Sequence, residues 1–233
     1  MNDRIVLLDA HVHVYPGVDV AGLLTAAARH FALAAQRIGA REWQGVLMLT
    51  EVAGVDWFGS VAHTEGGCEF GAWRVIRSPS ETISLQASTH DMRITIVAGR
   101  QIVTAERIEV HALGIQTVGT QTELADGADL QATLNAVYQS GALAVLPWGV
   151  GKWLGVRGRL VATALQSRAA SNVYAADNGG RPAFWPERRF ALAQNRPLLR
   201  GSDPLPLCGE EYRAGSFGSW FTGSLPADAP AGA

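Results

Sequence analysis

The sequence predicts a single-domain α/β protein, with a (β/α) barrel expected in preference to an open, doubly wound sheet. Three observations lead there. Short continuous runs of β-type residues recur, segments of helical apolar spacing lie between several of them, and polar residues collect where the runs end. A chain of 233 residues is long enough for such a fold in one piece, and no linker-like stretch divides it.

The elements follow in order. Ile5-Val6-Leu7-Leu8 reads as a strand buried on both faces, leading directly into His11 and His13. From Val20 to Ile38, the spacing of Leu23, Leu24, Ala27, Phe31, Ala34, Ala35 and Ile38 is helical, and Gly39 is placed to end that helix. Gly45 to Thr50 reads as a second buried strand. Trp73–Ile76, Ile83–Ala87, Arg93–Val97 and Ile108–Leu113 are strand-like runs without helices between them, so an antiparallel meander inserted at about 60–98 is expected. Asp129 to Ser140 reads as a helix with an acidic start, and Ala142 to Pro147 as a strand. Leu160–Ser167 (helix), Val173–Ala176 (strand), Phe190–Gln194 (short helix) and Pro197–Leu199 (strand) return to alternation. The domain is expected to span residues 1–225, with a poorly ordered tail over 226–233.

Composition narrows the partners. With 19 basic and 21 acidic residues the net charge is −2, which gives no electrostatic reason to expect nucleic acid or an anionic membrane. A small anionic molecule is the expected ligand. The two cysteines, Cys68 and Cys208, form no metal or redox spacing, and the apolar run after Arg4 is too short for a signal-peptide core or a membrane span. A cytoplasmic protein is expected. Lys152 is the single lysine beside 18 arginines, and lysine can serve as a base, nucleophile or carbamate where arginine cannot.

The chemistry is expected at the end of the first strand. His11 and His13, two apart on an extended chain, point the same way and can share one cation. Glu51 ends the second strand and is the first candidate for a general acid or base, with Glu109 as a second. Lys152 follows a buried strand in Trp148-Gly149-Val150-Gly151-Lys152-Trp153, and Arg181 follows Asp177-Asn178-Gly179-Gly180, where either cation could meet an anionic substrate. The bland alternatives are a lysine snorkelling past two tryptophans and a solvated arginine beyond a turn. His30, His63 and His90 read as structural or solvated.

Leu8-Asp9-Ala10-His11-Val12-His13 resembles the opening motif of the polymerase and histidinol phosphatase (PHP) superfamily, and also that of the amidohydrolases. The segments Gly45–Val52, Ala98–Thr104, Glu109–Gly114, Ala144–Trp148 and Arg200-Gly201-Ser202-Asp203 are similar to later PHP motifs, so the resemblance runs from about Ile5 to Asp203. It implies a distorted (β/α)7 barrel and metal-dependent hydrolysis of phosphate esters. Four ligand positions of that family differ: Val52, Gln101, Trp148 and Leu205 stand where it has histidine, glutamate, histidine and histidine. His11, His13, His111 and Asp203 remain, enough for one Zn²⁺ or Mn²⁺. The resemblance therefore implies a one-metal hydrolase in which Glu51 moves the proton, Lys152 acts at the reacting centre, and Arg181, Trp148 and Gln101 contact the substrate. Two alternatives stand beside it. One is a metal-free, inactive relative that binds a small molecule or a protein, and the other is an amidohydrolase-like enzyme with a carboxylated Lys152.

Overall fold

The computed structural model describes residues 4–115, 124–167, 173–182, 184–193 and 196–232. Its strands are β1 (Ile5–Val12), β2 (Trp43–Leu49), β3 (Cys68–Phe70), β4 (Trp73–Arg77), β5 (Ser84–Ser88), β6 (Arg93–Val97), β7 (Gly99–Val103), β8 (Glu109–Leu113), β9 (Leu143–Pro147), β10 (Val173–Asn178), β11 (Leu199–Gly201) and β12 (Ser219–Thr222). The helices are α1 (Val20–Arg37), α2 (Trp57–Ala62), α3 (Leu130–Gln139) and α4 (Gly155–Gln166). Short 3-10 turns lie at Arg188–Ala193, Glu210–Arg213 and Pro230–Gly232. The short helix expected at Phe190–Gln194 corresponds to the first of these turns, and Gln194 lies outside the described residues.

The expected (β/α)7 barrel is not what forms. The strands make two mixed sheets, a seven-stranded one in the order β12-β1-β2-β6-β5-β4-β3 and a five-stranded one in the order β11-β10-β9-β8-β7. The reason lies in two places. From β3 to β8 the chain runs through antiparallel pairings with no helix between strands, and β-strands joined by short loops cannot run parallel. In addition, β12 lies antiparallel along β1 from Ile5–Thr222 to Leu8–Ser219, and so takes the edge of β1 that closure would require. Within the larger sheet β3 to β6 form an antiparallel meander, which β6 joins to the rest by pairing in parallel with β2.

Packing explains the layers. Val6, Leu8 and Ala10 of β1, Val46 of β2, Val97 of β6, Leu113 of β8, Val145 of β9 and Ala176 of β10 fill the space between the sheets. On the other face of the larger sheet, Leu7, Leu47 and Leu49 meet Leu23, Leu24, Ala27 and Phe31 of α1. Each such large side chain contributes about 1.5–3 kcal/mol when fully buried. Asp19 starts α1 by accepting from the Gly22 amide, and Gly39, at φ 70°, lies just beyond its end. Asp129 caps α3 in the same way, and α3 and α4 cover the outer face of the smaller sheet. The stretch after Leu225, expected to be poorly ordered, lies against the 80–84 region: Ser80 donates to the Asp228 carbonyl, and the Ala231 and Gly232 amides donate to Glu81.

Candidate metal centre

The site begins with a bulge in β1. Asp9 pairs with Leu47 and Val12 with Leu49, so β1 advances by one residue more than β2 across this step. An extra residue reverses which side of the sheet the later side chains face. Before it Leu7 faces α1; after it Val12 and Val14 do. His11 and His13 are thereby turned toward the smaller sheet, both buried, with their Nε2 atoms 3.0 Å apart.

Asp9 fixes the end of β1 to the segment after β11. Its carboxylate accepts from the Ser202 amide (2.9 Å) and hydroxyl (2.6 Å), the Gly215 amide (2.7 Å) and the His11 amide (3.2 Å). Burial pushes this carboxyl up to about 6, although all four donors favour its anion. Gly201 makes the close approach possible: a Cβ there would stand 2.3 Å from the His11 Cβ and 2.4 Å from its backbone nitrogen.

Asp203 completes the group. Its amide donates to the His11 carbonyl at 2.9 Å, and its backbone is left-handed with φ 51°, unusual for a residue other than glycine. Oδ1 lies 3.2 Å from His11 Nε2 and 3.6 Å from His13 Nε2, while Oδ2 accepts from Asn178 Nδ2 at 2.9 Å. Asn178 spends its second proton on the Trp148 carbonyl (3.1 Å) and so ties three strand ends together. Burial alone would raise the Asp203 carboxyl; the His13 hydrogen bond and the fields of His11, His13 and Lys152 overcome it and hold the group at about 2. Burial drives His11 down to about 3 and His111 well below its ordinary value, so both imidazoles are neutral at pH 7, the form that ligates metals.

Among the described residues, His11, His13 and Asp203 are the group of three or more ligating side chains able to hold an ion. His111 is adjacent but separate. Its ring meets that of His11 edge-on at 4.2 Å, and its Nε2 faces the Gln101 Oε1 at 3.3 Å. Because an amide oxygen accepts, that His111 nitrogen carries the proton. The Nδ1 atoms of His11 and His111 are both buried without a partner.

The remaining expected site residues divide between the two sides of the sheets. Lys152 is ion-paired with Glu109, two residues from His111 on β8, and its side chain is 38% exposed. Its charge is felt at His11, His111 and Asp203. Gly149 leaves room for it, since a Cβ there would meet the lysine Cδ at 2.6 Å. Glu51, in contrast, accepts from the Phe58 amide (2.8 Å) at the start of α2, and burial pushes its carboxyl up to about 7. The residue that faces His13 from the end of β2 is Thr50, whose hydroxyl lies 3.5 Å from Nδ1. Arg181 is committed to Asp177 through two bonds of 2.7 and 2.6 Å and donates also to the Trp185 carbonyl. Trp148 is buried in the core beneath α4, edge-on to Trp185 at 6.3 Å.

Tyr15 and Asn178 were not among the expected site residues. Tyr15 stacks on His13 with ring centres 5.1 Å apart and planes 26° apart. Burial, with Asp203 and Glu109 adding to it, pushes its phenol up to about 12, so it stays a hydrogen-bond donor. The alternation His11, His13, Tyr15 was a signal available in the sequence; Asn178 had none beyond its place in a turn. Cavities of about 490 Å³ beside α1, lined by Asp19, Arg29 and Tyr212, and about 520 Å³ near Arg4, Arg41 and Arg93 lie away from the ligating group. No helix among the described residues is long and apolar enough to cross a membrane. Comparison of the sequence with protein-family models and with curated proteins finds no match in either.

Proposed function

We propose that His11, His13 and Asp203 hold one divalent cation, zinc or manganese, and that the site hydrolyses phosphate esters or related small anions, the chemistry implied by the PHP resemblance. The observation carrying this reading is the triangle of donor atoms, with sides of 3.0, 3.2 and 3.6 Å. Ligands at about 2.0–2.1 Å from a tetrahedral ion stand about 3.3–3.4 Å apart, so the triangle has the size of one face of that tetrahedron. Two imidazoles and one carboxylate suit zinc, and three protein ligands leave a position open. An ion bound there supplies Lewis acidity and activates water.

The protein's own residues account for anion binding. Around the triad, Lys152 is positive, and Glu109 and Asp203 are negative. That balance repels an anion until a divalent cation reverses it, so substrate binding is coupled to the cation. Lys152 then holds a substrate oxygen, Glu109 keeps its ammonium in place, and the Tyr15 hydroxyl donates a further hydrogen bond. Lys152 stands against the Glu109 carboxylate, which would repel an anionic carbamate there, and this counts against the amidohydrolase reading. Arg181, occupied by Asp177, has no part in this scheme, and Glu51, bound to α2, has none either.

The test is metal content measured by elemental mass spectrometry after incubation with zinc or manganese and desalting. The wild-type protein is expected to retain about one equivalent, lost in His11→Ala and in Asp203→Asn, with phosphomonoester turnover following the metal. A wild-type protein that retains none, with its fold intact, sinks the reading.

A further inference from the structure

The loops that follow β9, β10 and β11 carry the site's Lys152 and Asp203 and start from its Asn178, and they also hold five of the fourteen large apolar side chains exposed among the described residues. These are Val150, Leu154, Phe184, Leu205 and Leu207. Phe184 is 84% and Val150 71% exposed, values that no packing role explains. Val150 precedes Lys152 by two residues, and Leu205 follows Asp203 by two. Phe184 lies in the loop after β10, next to Trp185, whose amide donates to the Pro182 carbonyl.

The loops are joined at their bases. Asn178 Nδ2 binds both the Trp148 carbonyl and Asp203, and Trp148 meets Trp185 of the middle loop. Scattered exposed apolar residues are ordinary, but a set concentrated on the rim of one polar centre marks a binding surface. Small-molecule sites commonly combine a mainly apolar wall with a few converging polar groups. A free phosphate ion would leave that wall exposed to water.

We infer that the substrate is an anion carrying an apolar group, aromatic or branched aliphatic, with its charged head at Lys152 and its apolar part on the rim formed by Val150, Phe184 and Leu205. This rests on the proposed one-metal anion site and adds to it the class of substrate. Phe184 is then a specificity residue: it contacts the part of the substrate that does not react. The rim favours a small organic group over a second copy of the chain, because Val150 and Leu205 each stand two residues from a charged group of the centre, Lys152 and Asp203.

The test uses phenylphosphonate and methylphosphonate, which share a head group and are not hydrolysed, titrated by calorimetry into wild-type protein holding one equivalent of zinc. Phenylphosphonate is expected to bind at least about tenfold more tightly, the scale of burying one ring. In Phe184→Ser the preference should shrink to near unity, while zinc content and methylphosphonate affinity stay as in the wild type. Equal affinities for the two ligands in a zinc-loaded wild-type protein overturn this inference and leave the metal site standing. A wild-type protein that takes up no zinc overturns both. A dimer seen by light scattering that Phe184→Ser converts to monomers also overturns the inference, since the rim would then cover a second copy.

Discussion

Glu51 is where the structure parts most sharply from the expected mechanism, and Glu51→Gln tests the difference. The glutamine keeps a carbonyl to accept from the Phe58 amide and removes only the ability to ionise. Burial lifts the carboxyl from 4.5 to about 7, a difference worth about 3 kcal/mol. An acid with a raised value in the folded state stabilises the fold most below its unfolded value, near pH 4.5, and that stability is lost as the pH rises through about 7. The variant has no such loss. Relative to the wild type it should gain about 2–3 kcal/mol between pH 5 and pH 8, measured by urea unfolding at each pH. Two results would refute the reasoning. Stabilities that track each other within about 0.5 kcal/mol at both values would show that Glu51 is not held in a desolvated place. A stable variant that lost zinc uptake or phosphomonoester turnover would show that the carboxylate serves the triad after all.

Two further substitutions probe the centre itself. Gly201→Ala forces a methyl group against the backbone of His11, which cannot give way without breaking the Asp203–His11 hydrogen bond; it should cost at least about 2 kcal/mol and abolish zinc uptake, and an unchanged melting temperature would refute the close approach. Lys152→Met keeps the chain length and removes the charge beside Glu109, so zinc content should be retained while the affinity of the zinc form for inorganic phosphate falls about tenfold; equal phosphate affinity would remove Lys152 from anion binding.

The local elements were legible where periodicity and caps agree. The run from Val20 carries both, and α1 forms from Val20 to Arg37; α3 begins at the Asp129 cap and β9 ends at Pro147, as the pattern indicates. What decided the architecture was too short to read. Ser219-Trp220-Phe221-Thr222 forms only a four-residue strand, in a stretch rich in glycine and serine, and yet it occupies the edge of β1 that a closed barrel would have used. Similarly, α2 has only six residues, less than two turns, so no face repeats often enough to give a period. Pairing partners far apart in sequence leave no local trace, and sheet order is made of such pairings.

The same distinction holds within the site. The spacing of His11 and His13 correctly places both imidazoles on one side of an extended chain, but the side depends on the bulge after Asp9, which no residue pattern announces. What separates Glu51 from the triad is its parity along β2. Val46 lies between the sheets with Met48 packed there too, while Leu47 and Leu49 face α1, so alternation carries Thr50 toward His13 and Glu51 away from it. Position at a strand's C-terminal end selects the correct edge of the sheet; only parity selects the correct face. Lys152 and Glu109 illustrate the complementary case, since neither residue alone distinguishes a surface lysine from a site cation. Their pairing across the β9 loop and β8 supplies a charge near the triad, and that contact depends on β8 lying antiparallel to β9, with His111 opposite Val145.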